Sequence, residues 1–231
     1  MAISKEFSID DINAIAKEAG DSILEIYNLG SDAANVEFKD DKSPLTTADL
    51  ASNSVIADSL SKLTPDIPIL SEEESKIPFK TRSSWDEYWL IDPLDGTKEF
   101  IKKNGEFTVN IALINKSRPI FGVIYIPVTG EIFWGSKYNG SFTKKDGMDP
   151  IQINTNTRND RIRIVTSRSH SANELEYFTG KIKKYETISV GSSIKFCLIA
   201  NGKADIYLRL GKTSEWDTAA GDAILRYAGG N

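Results

Sequence analysis

The chain has 231 residues, 40% of them hydrophobic, and a formal net charge of −5. This length allows a sizeable core in one or two compact units, while the dispersed lysines argue against a nucleic acid polymer as partner. No apolar run is long enough for a membrane span, and residues 1–13 lack the pattern of a secretory signal. We therefore expect a cytoplasmic protein and leave peripheral association with the inner membrane face open.

The first part of the chain predicts two helices. Ser8 followed by Asp11 resembles a capping box, which opens a helix by satisfying its first backbone amides. A second helix is predicted from about Thr47 to Lys62. The first helix is amphipathic, because its apolar residues recur near one face; these are Ile12, Ile15, Ala16, Ala19, Ile23 and Ile26.

Two short apolar runs then lead directly into carboxylates. Residues 67–70 form a predicted strand that ends at Glu72 and Glu73. Residues 88–91 are too short and too apolar for a surface helix, so they are predicted to be a buried strand. The segment Asp92-Pro93-Leu94-Asp95-Gly96-Thr97 follows, and its proline and glycine are expected to turn the chain at once. Each strand end therefore presents acidic side chains.

The remaining sequence predicts two further patterns. Residues 106–144 alternate β-branched and apolar runs with turn residues, which indicates an antiparallel meander. Beyond Pro150, strands near 163–166 and 204–208 alternate with helical segments near Lys195 and Ala219. We predict an N-terminal unit over residues 1–149 and a C-terminal α/β unit over residues 150–231, packed together without a linker.

The single cysteine and the single histidine limit the possible chemistry. Cys197 lies in an apolar helical stretch and is predicted to be a core residue, since free cysteine is among the most buried residue types. Lys203 stands where a cysteine-dependent phosphatase would need an arginine. His170 alone cannot build a histidine-rich zinc or manganese site, which leaves oxygen ligands for any metal.

A third acidic segment, Trp216-Asp217-Thr218-Ala219-Ala220-Gly221, opens a helix of small residues. Taken singly, Asp92 and Asp95 could be turn formers, residues 72–74 a solvated loop and Asp217 a helix N-cap. Taken together with the Leu94 carbonyl, the acidic groups favour a site for Mg²⁺ or Mn²⁺, which prefer oxygen ligands. Two such cations about 4 Å apart can stabilise both the attacking and the leaving oxygen of phosphoryl transfer.

The three acidic segments resemble the signatures of the inositol monophosphatase superfamily, the lithium-sensitive, magnesium-dependent phosphatases. Within it, residues 98–114 resemble the bacterial-type 3'(2'),5'-bisphosphate nucleotidase branch, as do residues 167–170, 191–196 and 213–217. The resemblance covers nearly the whole chain. It implies an α/β (α+β) fold, a layered αβαβα sandwich, with the metal site between the two units. It also implies a further strand and C-terminal segment after Asn231, so the chain is expected to be shortened at its end.

The resemblance further implies roles for individual residues. Thr97 and Asp49 would orient the attacking water, although Asp49 could also be an ordinary carboxylate in the first turn of a helix. Glu73 would support Glu72 from behind. The ligands of two or three Mg²⁺ ions would be Glu72, Asp92, Asp95, Asp217 and the Leu94 carbonyl, with Glu72 also counted as catalytic. The substrate would be bound by Gly96, Thr97, Gly191, Ser192, Ser193, Lys195, Arg168 and Arg209.

Two groups among these predicted substrate-binding residues could instead have a purely structural role. Residues 191–195 could be a glycine turn into a helix, and the two arginines could be ordinary surface residues. If they do bind substrate, Lys195 and the hydroxyls before it suit a second phosphate.

The activity implied is Mg²⁺-dependent hydrolysis of the 3'-phosphate of adenosine 3',5'-bisphosphate to AMP and phosphate, a reaction of sulfur assimilation. One rival keeps the fold and acts on an inositol phosphate or sugar bisphosphate. A haloacid dehalogenase-type phosphatase fits poorly, because two residues separate Asp92 from Asp95 where that class has one. A nucleotide-sensing binding protein is the third rival, but it would be expected to lack metal ligands. The oligomeric state is left open.

Overall fold

The computed structural model describes residues 7–29, 35–38, 44–74, 76–156, 161–168, 179–180, 182, 184–209 and 211–231. A small antiparallel pair, β1 (Glu37–Phe38) and β2 (Pro44–Leu45), precedes the main sheet. The main sheet has seven strands within the described ranges, in the order in which they follow along the chain. They are β3 (Ile69–Ser71), β4 (Glu87–Asp95), β5 (Thr108–Asn115), β6 (Arg118–Ile126), β7 (Glu131–Ser136), β8 (Gly140–Lys145) and β9 (Ile151–Ile153).

The described helices lie on both faces of this sheet. They are α1 (Ile9–Leu29), α2 (Thr47–Leu63), α3 (Phe79–Arg82), α4 (Thr97–Ile101), α5 (Ile194–Ala200) and α6 (Glu215–Tyr227). Strand β3 pairs with β4 in parallel, and every later neighbour in the sheet is antiparallel. A second sheet of three parallel strands has β10 (Ile162–Thr166) between β11 (Tyr185–Ser189) and β12 (Ile206–Tyr207).

The side chains of the main sheet alternate between two apolar cores. Trp89 and Ile91 of β4 pack in the core formed with α1 and α2, while Leu90 between them packs in the core formed with α5 and α6. This period of two is the geometry of a strand whose faces are both covered. A third, smaller core joins Ile199 of α5 to Val165 of β10. The described elements thus form four layers, α, β, α and β.

The structure confirms most of the predicted elements. Ser8 and Asp11 form the capping box of α1, and the second helix runs from Thr47 to Leu63. The meander corresponds to strands β5–β8, and Cys197 is buried. The fifth, outer helical layer of the predicted sandwich has no counterpart among the described residues. His170 lies outside the described residues.

Two observations bear on how the units are joined. Strand β9 pairs with β8, and α6 packs against strands β4–β8 of the main sheet although it comes late in the chain. Elements that follow residue 150 thus belong to the main sheet and to the layer that covers it. The boundary between residues 149 and 150 stays a prediction. Among the described helices, none is long and apolar enough to cross a membrane.

Candidate active site

The end of β4 is shaped by a β-bulge. Asp92 pairs with Asn110 and Asp95 pairs with Thr108, so β4 contains one more residue than β5 between these two pairs. The predicted turn at Pro93 and Gly96 is confirmed at Gly96, which has φ of +97°, but not at Pro93. The strand continues to Asp95, and the bulge accommodates the proline because a bulged residue needs no ladder hydrogen bond. The Ser52 hydroxyl of α2 donates to the Pro93 carbonyl at 2.7 Å, which fixes the bulge from one side.

Carboxylates from three separate elements converge at this bulge. Glu72 follows β3, Asp92 lies in β4 and Asp217 is in the first turn of α6. One carboxylate oxygen of each lies within 4.8 Å of the others. Because carboxylate oxygens are the ligands that hard divalent cations prefer, this donor set fits Mg²⁺ or Mn²⁺.

The electrostatics of the cluster also fit a cation. Asp92 is buried, and its pKa is raised well above the ordinary value by burial first and then by Glu72, Asp95 and Asp217. Burial and the Asp217 charge raise the pKa of Asp95 to about 6, although hydrogen bonds from Ser193 and Asn110 lower it. Uncompensated negative charge in a buried site is costly unless it is protonated or paired with a cation.

Asp95 lies beside these three carboxylates. The Ser193 hydroxyl, at the N-terminus of α5, donates to Oδ2 of Asp95 and lies 3.0 Å from the backbone carbonyl of Asp217. A single serine thus connects the end of β4 with the start of α6. Among the other predicted groups, Leu94 contributes the bulge carbonyl, which accepts a 3.4 Å hydrogen bond from Thr97, and the Glu73 amide donates to Ser71.

Thr97 and Asp49 are in contact, as the resemblance implies. The Thr97 hydroxyl donates to Oδ1 of Asp49 at 3.2 Å. The other carboxylate oxygen of Asp49 accepts from the backbone amide and the hydroxyl of Thr46, which closes the capping box of α2. The structural and the catalytic interpretation of Asp49 are therefore compatible, because each uses a different oxygen.

A cleft of about 420 Å³ opens beside this cluster, and two glycines allow its walls to approach. Gly96 has φ of +97°, in the region that favours glycine, and a Cβ there would lie 2.9 Å from the Glu106 carbonyl. A Cβ on Gly191 would lie 2.7 Å from Glu99. Ser192, between Gly191 and Ser193, also lines the cleft. Larger side chains at either glycine would push the walls apart.

Lys195, Arg168 and Arg209, the three cations predicted to bind substrate, line the same cleft, and each has a different environment. Lys195 is only 3% exposed, and its ammonium donates to the carbonyls of Val190 and Ser192. Burial lowers the pKa of Lys195, although Asp95 opposes that shift. Arg168 forms a two-pronged ion pair with Glu106. Arg209 donates to the Ser167 hydroxyl and to the Lys212 carbonyl, so its described partners are neutral. That Lys195 takes a second phosphate stays a prediction.

Sequence reasoning missed two residues of this site, Asn110 and Glu106. Asn110 is fully buried in β5 and donates to the Ser193 hydroxyl at 2.8 Å. Glu106 accepts from Arg168 and from the Gly191 amide. A polar amide between Val109 and Ile111, inside an otherwise apolar strand, was the available signal, because buried polar groups require partners. Glu106 carried no such signal.

Comparisons with known proteins show the family to which the chain belongs. A family model described as the inositol monophosphatase family matches residues 6–231. The 3'(2'),5'-bisphosphate nucleotidase CysQ of Escherichia coli (strain K12) is 46% identical over 221 residues, which cover 96% of this chain and 88% of that protein. The 3'(2'),5'-bisphosphate nucleotidase CysQ of Aggregatibacter actinomycetemcomitans is 36% identical over 232 residues, covering 100% of this chain and 85% of that one.

Solved structures show the same fold. CysQ from Bacteroides thetaiotaomicron, described as a bacterial member of the inositol monophosphatase family, superposes with a TM-score of 0.82 at 39% identity, covering 98% of this chain and 89% of that chain. An inositol monophosphatase from Anabaena (Nostoc) sp. superposes with a TM-score of 0.73 at 26% identity, covering 96% and 80%. The predicted layered α/β class and the superfamily resemblance are confirmed by these matches.

Proposed function

This chain belongs to the inositol monophosphatase family, and we propose that it is a 3'(2'),5'-bisphosphate nucleotidase which hydrolyses the 3'-phosphate of adenosine 3',5'-bisphosphate with Mg²⁺. One observation supports a bisphosphate in particular: the cleft is lined both by Asp95 and Asp217 of the acidic site and by the cationic side chains of Lys195, Arg168 and Arg209. A nucleotide with two phosphates could use the acidic groups, through bound cations, for one phosphate and the cationic side chains for the other. The curated relatives named as bisphosphate nucleotidases support the same substrate class.

The acidic cluster would bind the phosphate that is cleaved. Glu72, Asp92 and Asp217, with Asp95 and the Leu94 carbonyl, would hold the ions. Two or three Mg²⁺ ions, when bound, would neutralise phosphate charge and make water a stronger nucleophile. The carboxylates would hold the cations only in the ionised state. Removing a carboxylate would therefore weaken the electrostatic stabilisation of the charge that develops on the phosphate in the transition state.

Thr97 and Asp49 would orient the attacking water. Asp49 is buried and holds the Thr97 hydroxyl from a helix start, so the hydroxyl has a defined direction. Because the Thr97 hydroxyl donates its hydrogen bond to Asp49, the lone pairs of the Thr97 oxygen can accept a hydrogen bond from water. Water held in this way would attack the phosphorus opposite the leaving 3'-oxygen, and phosphate and AMP would result.

A cationic side chain of the cleft would bind the phosphate that is retained. Arg209 suits this role best, because its described partners are a hydroxyl and a carbonyl, while Arg168 is ion-paired and Lys195 is buried. A guanidinium can bind a phosphate through two parallel hydrogen bonds. A cytoplasmic location belongs to the same proposal.

The deciding experiment measures phosphate release in Mg²⁺ from adenosine 3',5'-bisphosphate, inositol 1-phosphate and fructose 1,6-bisphosphate side by side. We expect the nucleotide to have the largest kcat/KM, and the variant Asp217→Asn to lose most of the activity while it stays folded. A larger kcat/KM for inositol or fructose substrate would overturn the branch and retain the phosphatase mechanism. Binding of the nucleotide without cleavage of any substrate would favour a sensor.

A matched pair of nucleotides tests the retained phosphate. With adenosine 3',5'-bisphosphate, Arg209→Ala is expected to raise KM by about 10-fold or more, since a hydrogen bond to a charged group is worth roughly 1.5–3 kcal/mol. With adenosine 3'-monophosphate, which lacks the second phosphate, the same variant should have nearly unchanged KM. An equal rise with both nucleotides would contradict the assignment of Arg209.

A further inference from the structure

Three buried polar side chains form a hydrogen-bonded chain that ends on Asp95. The Thr108 hydroxyl donates to the Asn110 amide oxygen at 3.1 Å, and the Asn110 amide nitrogen donates to the Ser193 hydroxyl at 2.8 Å. Ser193 in turn donates to Oδ2 of Asp95. Thr108, Asn110 and Ser193 are each 2% exposed or less. We call this chain of three residues the β5–α5 relay.

The relay has a direction. The Asn110 side-chain oxygen accepts a hydrogen bond and its nitrogen donates one. The orientation of the amide is therefore set by Thr108 on one side and Ser193 on the other. Because Ser193 already accepts from Asn110, its own proton is directed to an acceptor, and the charged carboxylate of Asp95 is the closer one. Hydrogen bonds arranged head to tail polarise and strengthen one another in a buried site.

The relay acts on one oxygen of Asp95 only. Oδ2 receives the Ser193 proton and also lies 3.5 Å from the Asn110 amide nitrogen. Oδ1 accepts no such hydrogen bond among the described residues, so it is the oxygen left available to a cation. The Ser193 hydroxyl lies near the Asp217 carbonyl as well, so the same relay sets the distance between β4 and α6.

We propose that Thr108, Asn110 and Ser193 are positioning residues that select the oxygen of Asp95 available to a cation and hold it in register with Asp217. This rests on the metal-binding part of the proposed function and not on its substrate. Groups that orient a metal ligand in this way typically change metal affinity by 10- to 100-fold when removed. Burying polar side chains such as Thr108 and Asn110 in a strand whose neighbouring residues are apolar is costly unless they are hydrogen-bonded, and this role explains their presence.

The test measures binding of Mn²⁺ to the metal-free protein, by titration calorimetry and by electron paramagnetic resonance of the free ion. Ser193→Ala should weaken Mn²⁺ binding by about 10-fold or more, and Thr108→Val by a few-fold. The double variant should bind no more weakly than Ser193→Ala alone, because Thr108 acts only through the relay. Thr143→Val is the matched control, since the Thr143 hydroxyl donates to the Ile132 carbonyl elsewhere on the same sheet.

The outcomes separate the relay from the function. Mn²⁺ affinity unchanged in Ser193→Ala, or losses that multiply in the double variant, would overturn the relay. An equal loss in Thr143→Val would show general destabilisation and would overturn it too, so thermal midpoints of all variants are recorded without metal. Wild-type protein that binds no Mn²⁺ would instead refute the metal-binding part of the proposed function. A different preferred substrate would leave the relay intact.

Discussion

Asp49 does two things with two oxygens. One oxygen closes the capping box of α2 with Thr46, and the other accepts a hydrogen bond from the Thr97 hydroxyl. A helix cap is held rigidly by the backbone, so the second oxygen inherits a fixed position at no further entropic cost. The Thr97 hydroxyl is thereby oriented by the start of a helix 48 residues earlier in the chain.

If Asp49 and Thr97 act as a unit, their substitutions should not be additive. Asp49→Asn and Thr97→Ala are each expected to lower kcat by about 100-fold, the lower end for proton-handling groups. The double variant should cost scarcely more than the worse single variant. The measurement is kcat for phosphate release at saturating nucleotide and Mg²⁺. Losses that multiply would show independent roles.

Asp11→Asn provides the matched control for the capping role. Asp11 stands at the same position of a capping box, with Ser8 in place of Thr46, but on α1 and exposed to solvent. It should lose stability of about 1 kcal/mol in denaturant unfolding, with kcat unchanged. A comparable fall of kcat in Asp11→Asn would mean that the effect of Asp49 is mediated by helix stability alone.

At the scale of the element, α6 is the helix that carries Asp217 to the end of β4, and two glycines determine how close it comes. A Cβ on Gly122 of β6 would lie 2.5 Å from the Ala220 carbonyl, and one on Gly135 of β7 would lie 2.6 Å from Cα of Ile224. Both contacts are with helix backbone, which cannot rotate away as a side chain can. The glycines therefore let the helix axis approach the sheet closely.

Adding one methyl group beneath α6 should displace the helix. Gly122→Ala and Gly135→Ala are each expected to destabilise the protein by about 1–3 kcal/mol, the range for overpacked cores. Gly122 contacts the helix three residues from Asp217, whereas Gly135 contacts it two turns away, so Mn²⁺ affinity should fall more in Gly122→Ala. The measurements are denaturant unfolding and Mn²⁺ titration of both variants. Equal Mn²⁺ affinities in the two would contradict this account.

Regular elements of this chain could be predicted from local patterns, while tertiary contacts such as that of Thr97 with Asp49 could be predicted only from the family resemblance. The apolar spacing from Ile12 to Ile23 and the capping box at Ser8 are local patterns, so α1 was accessible from sequence. The bulge between Asp92 and Asp95 depends on the register with β5, which no local pattern encodes. Ser193 and Asn110 are 83 residues apart, and only the packing of α5 on the sheet brings them together. The metal-site residues were identified because three acidic segments occur together and resemble the family's signatures, and Asp49 was identified through that resemblance alone.

For the whole molecule, Glu106 connects the two sheets. It precedes β5 of the main sheet, and its carboxylate accepts from Arg168, which follows β10, and from the Gly191 amide, which follows β11. The hydrogen bond from Arg168 is the main cause that lowers the pKa of Glu106. The carbonyl of the same residue is the group that a side chain at Gly96 would meet. Glu106 therefore sets the separation of the two cleft walls.

Loosening this connection should affect substrate binding more than chemistry. Glu106→Gln keeps the size of the side chain and removes the charge, so KM for the bisphosphate is expected to rise about 5-fold with a smaller change in kcat. Raised salt should weaken the ion pair of the wild type and narrow the difference. Steady-state kinetics at two ionic strengths provide the measurement.

Arg226→Ala is the control for that variant, since it removes an exposed ion pair with Asp222 on the outer part of α6. Its KM should equal that of the wild type, because an exposed pair within one helix turn contributes little. Unchanged KM in Glu106→Gln would mean that the walls are held by their backbones alone.

During synthesis the carboxylates of the acidic cluster become available at different times. Glu72, Asp92 and Asp95 leave the ribosome early, but Asp217 follows only after about 120 further residues, which takes roughly 6–25 s at usual rates of synthesis. During that interval the nascent chain contains Glu72 and Asp92 without α6, the helix whose Asp217 completes the acidic cluster. The growing chain thus lacks one of the three clustered carboxylates until α6 emerges, and a chain interrupted before Asp217 would also expose the apolar face of its sheet that α6 covers.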